Sequence, residues 1–457
     1  MERKQDARIY RLRALSDGAP LQPIGGVAGD GRRRRAPDGD VDMMPSSTVV
    51  IVGAGQAGLQ AATSLRQAGF DGRIRLVGDE PCIPYERPPL SKSYLAGETG
   101  LDGLWLRPEM FYGKERIELE LGQTATAIDR QTRQVELASG RKVAYDRLVL
   151  ATGARFRPLS VPGAELDGVL PLRTLADADA LRPRLAEARE VVVIGAGFIG
   201  LEFAAVARKA GVAVHIIEMT QRLMGRVVSE QTSRFYTRAH RDWGSAFLFG
   251  TGVARILGNR RVSGVETSDG RTLPADLVLI GIGVVPNTEI AAAAGLAIDN
   301  GIIVDQNLAS TDPTIFAIGD CANYPSRFGR CRLESVQNAV DQGQAVAAAI
   351  VGESIPYDKV PWFWTDQADL KLQIAGITAG HDRSVLRGDP ESRSFSVFFF
   401  RDGTLIGVES INRPADHVVA RRLLLADPRL SPEQAVDPDF DLRAHAIRFS
   451  RRERAQT

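Results

Sequence analysis

The stretch TVVIVGAGQAG (residues 48–58) decides the fold of this chain. Its apolar start predicts a buried β-strand, and Gly53, Gly55 and Gly58 follow at the turn into a helix. Glycines with this spacing allow a tight turn, a close approach of the backbone to a pyrophosphate, and close packing of helix on strand. The helix then presents its partial positive charge to the phosphates. The stretch therefore predicts a dinucleotide-binding unit.

A second strand completes this unit. RIRLVGDE (73–80) ends in Asp79 and Glu80, at the distance from the glycines where an acid bonds a ribose 2′-hydroxyl. A glycine turn alone is a weak signal, because such turns occur in many α/β proteins. Strand, helix, strand and acid in this order make the prediction specific.

The same unit then recurs. VVVIGAGFIG (191–200) places Gly195, Gly197 and Gly200 after another apolar strand, and VAVHIIE (212–218) supplies the second strand. Two complete fingerprints predict two dinucleotides, and the obvious pair is a tightly held flavin and an exchanging nicotinamide.

The acid that ends the second unit bears on the choice of nicotinamide nucleotide. Glu218 would accept a hydrogen bond from the ribose of NADH but would repel the 2′-phosphate of NADPH. We therefore expect NADH, although Arg222 lies close enough in sequence to soften the preference.

Two further segments indicate crossings between domains. RLVLATGARFRP (147–158) is a predicted strand that runs into Thr152 and Gly153, where a small turn lets the chain enter a second domain. DLVLIGIGVVPN (276–287) is its expected counterpart on the return.

A later strand, TIFAIGDCAN (314–323), delivers Asp320 at its carboxyl end, where ligands of open α/β sheets collect. A single Asp can simply cap the following turn. Together with the first fingerprint, we interpret Asp320 as the partner of a flavin ribityl hydroxyl.

The segment YERPPLSKSYLAG (85–97) carries two cations around a rigid corner. Pro88 and Pro89 fix the backbone and begin a predicted helix. Arg87 and Lys92 on either side are thereby aimed at a bound polyanion with little loss of side-chain entropy.

Composition limits the remaining possibilities. The chain has 457 residues, enough for three domains of roughly 150 residues each. Lys plus Arg total 57 against 56 for Asp plus Glu, so the net charge of the chain does not favour binding to nucleic acid or to an anionic membrane.

The three cysteines, Cys82, Cys321 and Cys331, lack the spacing of a disulfide framework or a zinc site, which favours a reducing cytoplasm and no metal. We find neither an apolar run of roughly 18 residues nor a signal peptide.

Residues 1–46 differ from the rest of the chain. They are rich in Gly, Pro, Arg and Asp with little apolar periodicity, and we predict a disordered extension. The basic run at residues 32–35 is more typical of a solvated tail than of a nucleic-acid contact.

These motifs together give the chain its family resemblance. It resembles the pyridine-nucleotide-disulfide oxidoreductase superfamily and, more narrowly, the flavin ferredoxin reductases that serve Rieske oxygenases and haem-thiolate monooxygenases. The resemblance covers residues 48 to about 424 and is carried by both fingerprints, YERPPLSKSYLAG, ATGARFRP, IGDCAN, RLESVQNAVDQG, PWFWTDQ and NRPADHVVARRLL.

The resemblance implies roles for several residues. Arg87 and Lys92 would face FAD, Lys92 would pair with Glu202 near the flavin, and Trp364 would lie beside the flavin and control the exit of electrons. Reduction places negative charge on the flavin, which a helix that begins near Val336 would stabilise with its N-terminal amides.

The expected architecture is α/β and glutathione-reductase-like, with two Rossmann-type dinucleotide-binding domains and an α+β C-terminal domain. We expect an FAD-binding domain from residues 47–155 and 276–355, an NAD-binding domain from 156–275, and a C-terminal domain from 356–457. In the last domain KLQIAG, SFSVFFF and TLIGVESIN are predicted strands and HVVARRLLL a predicted helix.

The predicted reaction is hydride transfer from NADH to FAD, followed by single-electron transfer to an iron-sulfur ferredoxin that supplies an oxygenase. Disulfide-reducing members of the superfamily carry a redox cysteine near residues 90–92, and this chain has none there, so electrons should leave the flavin directly. The alternatives are an NADH oxidase or quinone reductase of the same fold, or a redox binding protein like the apoptosis-inducing flavoproteins. We expect a monomer or weak dimer without nucleic-acid or membrane partners.

Overall fold

The computed structural model of the chain describes residues 47–353, 355–425 and 429–453. The predicted disordered extension, residues 1–46, lies outside the described residues.

The strands are, in chain order, β1 (Thr48–Val52), β2 (Arg73–Val77), β3 (Ile117–Glu120), β4 (Ala125–Asp129), β5 (Gln134–Leu137), β6 (Lys142–Ala144), β7 (Arg147–Leu150), β8 (Ala154–Phe156), β9 (Val169–Pro171), β10 (Glu190–Ile194), β11 (Ala213–Glu218), β12 (Ser245–Phe249), β13 (Val253–Gly258), β14 (Val262–Thr267), β15 (Thr272–Pro274), β16 (Leu277–Ile280), β17 (Val284–Pro286), β18 (Ile302–Ile303), β19 (Ile315–Ala317), β20 (Ala322–Ser326), β21 (Gly329–Cys331), β22 (Trp362–Gln367), β23 (Leu370–Gly376), β24 (Arg383–Asp389), β25 (Ser394–Arg401) and β26 (Thr404–Ile411).

The α-helices are α1 (Gln56–Gln67), α2 (Glu109–Lys114), α3 (Leu175–Glu187), α4 (Phe198–Lys209), α5 (Glu230–Asp242), α6 (Glu289–Ala293), α7 (Val336–Ile350), α8 (Pro414–Leu425), α9 (Pro432–Val436) and α10 (Leu442–Glu453). Short 3-10 helices cover Pro88–Ser91, Leu101–Gly103 and Gly319–Cys321.

The first sheet is parallel, with the strand order β19-β7-β1-β2-β3. Val49, Val50 and Ile51 of β1 are fully buried, because helices cover such sheets on both faces and the strands are apolar throughout. Strand β19 comes from the later part of the chain, so two distant segments build one sheet, as the sequence predicts.

The second sheet is also parallel, with the order β12-β11-β10-β16-β9. Strand β16 pairs with β10 from Leu277 to Ile280. All four of its residues are buried, and this sheet provides their apolar surroundings. The sheet therefore extends past residue 275, where the prediction ended the second nucleotide-binding domain, and the chain crosses back only after β16.

The two predicted crossing segments contact each other. Strands β8 and β17 pair in antiparallel fashion, so the outward and return crossings form a two-stranded link. The Thr152 hydroxyl donates to the Asn287 carbonyl at 2.6 Å, and the Asn287 backbone N–H donates to the Gly153 carbonyl at 3.0 Å. The prediction that these segments are counterparts is confirmed.

The C-terminal part is an antiparallel sheet with the order β22-β23-β26-β25-β24. The three predicted strands and the predicted helix are present as β23, β25, β26 and α8. Strands β22 and β24 were not predicted; β22 contains the aromatic motif PWFWTDQ, whose Trp and Phe side chains are half-buried rather than alternating between core and solvent. The α/β class is confirmed.

The remaining sheets are small. Three-stranded antiparallel sheets are formed by β4-β5-β6 and by β13-β14-β15, and neither was predicted. Within the described ranges, none of the helices has the length and apolar character needed to cross a bilayer. The same residues hold no group of three or more His, Cys, Asp or Glu side chains placed to bind a metal ion.

Candidate active site

A cleft of about 470 Å³ lies at the carboxyl ends of the first sheet and extends to β22. Nearly all of the residues that the sequence analysis assigned to the flavin line this cleft. The predicted residues on its wall are Gly53, Gly55, Asp79, Glu80, Arg87, Lys92, Thr152, Gly153, Glu202, Asp320, Val336 and Trp364.

The first glycine turn leaves space where a pyrophosphate is expected. A Cβ atom at Gly53 would lie 2.0 Å from the Ala151 carbonyl oxygen, and one at Gly58 would lie 1.9 Å from the Gly53 carbonyl oxygen. Around a Cβ atom at Gly55, by contrast, no described atom lies within 4 Å. Gly55 caps the N-terminus of α1, so this open cradle and the helix dipole fit an anionic group such as the FAD pyrophosphate.

The two acids that follow β2 differ in their surroundings. Glu80 accepts hydrogen bonds from the Arg87 guanidinium and from the Tyr85 hydroxyl, both at 2.6 Å. Asp79 is exposed at the end of the strand. Glu80 is thus engaged with Arg87 and Tyr85, whereas the Asp79 side chain is open to the surroundings.

The rigid corner is a 3-10 helix over Pro88–Ser91, shorter than an α-helix but at the predicted place. Arg87 precedes it and donates to the Arg173 carbonyl at 2.8 Å, in addition to its ion pair with Glu80. These fixed contacts hold the guanidinium at the cleft wall without a rotamer search.

Asp320 has a partner that the sequence did not indicate. The Arg173 guanidinium lies 2.7 Å from the Asp320 carboxylate and also donates to the Ala154 carbonyl at 2.9 Å. Arg173 lies between β9 and α3, directly before Thr174, which caps α3. This arginine lies outside every motif recognised in the sequence, and only the fold places it against Asp320.

Lys92 and Glu202 form the ion pair that the resemblance implied. The Lys92 Nζ and Glu202 Oε2 atoms are 2.7 Å apart, and the side-chain exposures are 20% for Lys92 and 5% for Glu202. Glu202 also accepts from the hydroxyls of Ser91 at 2.5 Å and Thr365 at 2.6 Å. These two hydroxyls were not predicted, and they satisfy a carboxylate that is almost wholly removed from water.

Aromatic side chains cover the other side of the cleft. Trp364 and Phe363 of β22 line it together with Phe198 of α4. The rings of Phe198 and Phe363 are 4.5 Å apart, and those of Trp364 and Trp362 are 5.6 Å apart. Trp364 thus lies on the cleft wall as expected, within a larger aromatic group that the sequence did not single out.

Helix α7 begins at the cleft. Its N-cap residue Ser335 accepts from the Asn338 backbone N–H at 3.1 Å, and Ser335 and Val336 line the cleft. The predicted helix start is confirmed, and the first residues of α7 line the cleft.

The second glycine turn has the same form as the first. Gly195 has φ +99°, and a Cβ atom there would lie 2.5 Å from the Gly281 carbonyl oxygen. A Cβ atom at Gly200 would lie 2.5 Å from the Gly195 carbonyl oxygen, whereas the nearest described atom to one at Gly197 is 3.8 Å away. Gly197 therefore marks a second open cradle at the start of α4.

Hydrogen bonds to the backbone hold the charged side chains of Glu218 and Arg222 beside this second turn. Glu218 accepts from the backbone N–H groups of Ala196 at 2.9 Å and Thr220 at 2.8 Å. Arg222 donates to the carbonyls of Gly225 and Val228, each at 2.6 Å. The Arg222 guanidinium therefore bonds to backbone carbonyls of its own loop. The sequence did not indicate these hydrogen bonds.

Two of the three cysteines, Cys82 and Cys321, have the properties of inert thiols. All three are free, and Cys321 is fully buried. Burial raises the pKa of Cys321, and it also raises the pKa of Cys82, with help from the nearby Glu80 charge. The thiolate form needed for redox chemistry is therefore disfavoured at both positions.

Comparison with known proteins gives a consistent result. The family profile described as pyridine nucleotide-disulphide oxidoreductase matches residues 47–343, and the profile described as reductase C-terminal matches residues 362–446. Rhodocoxin reductase from Rhodococcus erythropolis is 50% identical over 399 residues, which cover 87% of this chain and 93% of that protein.

Solved structures agree with this match. The ferredoxin reductase of the CYP199A2 system from Rhodopseudomonas palustris superposes with a TM-score of 0.86 at 52% identity, over 88% of this chain and 100% of that one. Putidaredoxin reductase in its covalent complex with putidaredoxin superposes with a TM-score of 0.86 at 40% identity, over 89% and 100% of the two chains.

The predicted glutathione-reductase-like architecture is confirmed by these relatives. The family uses FAD and a nicotinamide nucleotide, and the two glycine cradles fit one nucleotide each. The chain belongs to the pyridine nucleotide-disulphide oxidoreductase family, among its ferredoxin reductases with a reductase C-terminal domain.

Proposed function

We propose that the protein is an NADH-dependent, FAD-containing ferredoxin reductase that passes electrons from NADH to an iron-sulfur ferredoxin, which supplies an oxygenase. The observation that carries this proposal is the Lys92–Glu202 pair, held in a cleft that the first glycine turn also lines. The names of two relatives, rhodocoxin reductase and a putidaredoxin reductase crystallised with putidaredoxin, support a small electron carrier as the acceptor.

Bound FAD supplies the chemistry of accepting a hydride and releasing its electrons singly. The chain would hold it with the glycine turn at Gly53 and Gly55, with Asp79 at the ribose, and with Asp320 and Arg173 further along the cleft. Thr152 and Gly153 of the first crossing also line the cleft. Each of these assignments rests on position in the cleft.

The Lys92 ammonium supplies positive charge in this cleft. Glu202 is hydrogen-bonded to two hydroxyls and is nearly buried, so its carboxylate has a defined position and in turn defines the position of Lys92. A cation fixed in advance stabilises negative charge that develops during reduction without reorganising. Helix α7 adds its N-terminal amides to the same effect.

Selection of NADH over NADPH is supported by the second glycine turn. Glu218 would repel a 2′-phosphate, and Arg222, the nearby cation that softened the preference, donates to two carbonyls of its own loop. The preference for NADH follows from the carboxylate together with the engaged arginine.

We also propose the exit route, the domain limits and the compartment. Trp364 and Phe363 form the aromatic wall at β22, and we assign the exit of electrons to this side of the cleft. The domains would comprise residues 47–155 with 281–355, 156–280, and 356–457. Three free cysteines fit a reducing cytoplasm, where a monomer or weak dimer would act.

The test is an acceptor panel. Purified protein should be yellow with non-covalent FAD, and NADH oxidation should be fast with at least one [2Fe-2S] ferredoxin and slow with oxygen, quinone or flavodoxin. Fast turnover with quinone or oxygen alone would instead establish an NADH oxidase or quinone reductase. Slow turnover with every acceptor, with salt-dependent binding to nucleic acid, would favour a redox binding protein. Folded protein that takes up no FAD would end the proposal.

A further inference from the structure

Buried polar side chains connect the Lys92–Glu202 pair to a helix of the second sheet. The Thr365 hydroxyl donates to Glu202 Oε1 at 2.6 Å, and the Gln367 amide nitrogen donates to Thr365 Oγ1 at 3.3 Å. Gln367 Oε1 and His240 Nε2 are 2.8 Å apart. Thr365, Gln367 and His240 are each 0% exposed. We call these three residues the buried relay.

The donor directions in the buried relay are set by chemistry. The Glu202 carboxylate accepts hydrogen bonds through both oxygens. The Thr365 hydroxyl therefore donates its single hydrogen to Glu202, and its oxygen accepts a hydrogen bond from the Gln367 amide. The Gln367 oxygen then requires a donor, and His240 supplies Nε2–H. Burial lowers the pKa of His240 to about 4, so near neutral pH it is an uncharged imidazole carrying its proton on this nitrogen.

The buried relay therefore points its N–H and O–H groups toward the Glu202 carboxylate. Hydrogen bonds to an ionised acceptor are stronger than neutral ones, and low dielectric surroundings strengthen them further. Thr365 holds one carboxylate oxygen, while Ser91 and Lys92 share the other. If the Thr365 hydroxyl is lost, Glu202 gains freedom to rotate and Lys92 loses its fixed partner.

A side branch reaches the second glycine turn. The Gln367 amide nitrogen also lies 3.9 Å from the Met224 sulfur. The Met224 backbone N–H donates to the Ala196 carbonyl at 2.9 Å. The backbone of Met224 has φ +49°, a left-handed conformation that is unusual for a residue other than glycine. Ala196 belongs to the turn of the second nucleotide cradle. The buried relay is thus anchored in the part of the chain that would bind the nicotinamide nucleotide.

We propose that Thr365, Gln367 and His240 are positioning residues for flavin reduction, acting through Glu202 on the Lys92 ammonium. Strand β22 carries the first two and α5 the third, so the C-terminal sheet and the second nucleotide-binding region jointly set the charge in the flavin cleft. The inference rests on the proposed function in one respect, namely that FAD occupies the cleft beside Lys92.

The test compares Thr365→Val with Thr365→Ser. The valine variant keeps the branched shape but lacks the donor, whereas serine keeps the hydroxyl. We expect Thr365→Val to slow flavin reduction by NADH roughly tenfold and to lower the flavin midpoint potential by about 30 mV, the two-electron equivalent of a tenfold change. Thr365→Ser should recover most of both, with FAD content unchanged. Thr267→Val is the matched control, because Thr267 is 1% exposed but bonds to Asp269 and Arg271 away from the cleft.

A double-variant cycle shows whether the effect passes through Lys92. In the Lys92→Met background, Thr365→Val should leave the potential unchanged, because the cation it positions is gone. An equal shift in both backgrounds, or no recovery by serine, would overturn the inference. Gln367→Met, which keeps the chain length but removes the amide, repeats the test if Thr365→Val does not fold.

These measurements separate the two proposals. They use NADH and bound flavin without any ferredoxin, and the midpoint potential is an equilibrium property independent of turnover. Failure to reduce any ferredoxin would remove the proposed function but leave the buried relay standing. Wild-type potentials in Thr365→Val and Gln367→Met would remove the relay and leave the proposed function standing.

Discussion

At the residue scale, the Lys92 ammonium depends on one buried carboxylate. Glu202 is 5% exposed and its partners are Lys92, Ser91 and Thr365. Removing one member of a buried ion pair leaves an uncompensated charge, which either moves or changes its protonation. Substitutions in this pair should therefore change the charge in the cleft strongly. Exposed ion pairs elsewhere contribute little to the free energy of unfolding.

We expect Lys92→Met to lower the flavin midpoint potential and to slow hydride transfer from NADH at least roughly tenfold, because positive charge is lost from the cleft. Glu202→Gln should slow the same step without loss of FAD. Stopped-flow flavin reduction and potentiometry measure both effects. Lys209→Met is the control, since Lys209 pairs with Glu98 at 2.7 Å but is 73% exposed. Wild-type rates and potentials in both variants would show that the pair only supports the scaffold.

The nucleotide preference also belongs to single residues. The wild-type protein should show a kcat/KM for NADH at least roughly tenfold above that for NADPH, and Glu218→Gln should narrow this ratio, because a neutral amide no longer repels a 2′-phosphate. Steady-state kinetics with both nucleotides provide the measurement. Glu266→Gln is the control: it removes a carboxylate of β14 that pairs with Arg255 of β13, and it should leave the ratio of kcat/KM values unaltered. A preference for NADPH in the wild type would contradict the assignment of Glu218.

At the scale of elements, helix α5 is held at both ends by the C-terminal sheet. Its N-cap residue Ser229 donates to Glu409 of β26 through the backbone N–H at 2.8 Å and the hydroxyl at 2.7 Å. Near its other end, His240 contacts Gln367 of β22. A carboxylate at a helix N-terminus is favourable, but Glu409 is 0% exposed, and burial raises its pKa above the ordinary 4.5.

This raised pKa gives a pH-dependent prediction. The folded state binds the Glu409 proton more tightly than the unfolded state, so this group favours folding at low pH and loses that contribution as pH rises through its raised pKa. Glu409→Gln, which is neutral at every pH, should gain melting temperature relative to wild type at pH 8, and this advantage should shrink as the pH falls through the raised pKa toward 4.5. Thermal scans of both holoproteins across this range measure the difference. A gap that does not change with pH would show that Glu409 ionises normally.

At the scale of the whole molecule, three sheets from distant parts of the chain meet around one cleft. The first sheet supplies the glycine turn and Asp320, helix α4 of the second supplies Glu202, and β22 of the third supplies Trp364 and Thr365. The described residues belong to one compact unit by their contacts. Among the described residues, the cleft wall draws on all three sheets.

Deleting residues 1–46 should therefore leave FAD content, turnover and melting temperature nearly unchanged, because the segment lacks the apolar residues to join a core. Flavin absorbance per protein, ferredoxin-dependent turnover and a thermal scan of the truncated protein provide the readouts. A fall in melting temperature of several degrees would mean that the segment packs on the folded part.

The sequence by itself determined the elements whose signals are local. Both glycine turns, the crossing segments and three C-terminal strands were predicted from short patterns, because turn geometry and apolar periodicity are decided within about ten residues. Nearly all of the residues that the motifs and the family resemblance assigned to the flavin lie on the cleft wall, whereas Arg173, Phe198 and Phe363 on the same wall were not singled out. Strand β16, which follows the limit predicted at residue 275, pairs with β10 of the second sheet, because its four apolar residues suit either sheet.

Only the tertiary structure decided which side chains meet. Asp320 and Arg173 are 147 positions apart, Glu202 and Thr365 are 163 apart, and Gln367 and His240 are 127 apart. No local pattern links such positions; their side chains meet only once the three sheets have packed and buried them. A single Arg, Thr, Gln or His has an ordinary appearance in the sequence, and its chemical role arises from the partner and the low dielectric that packing provides.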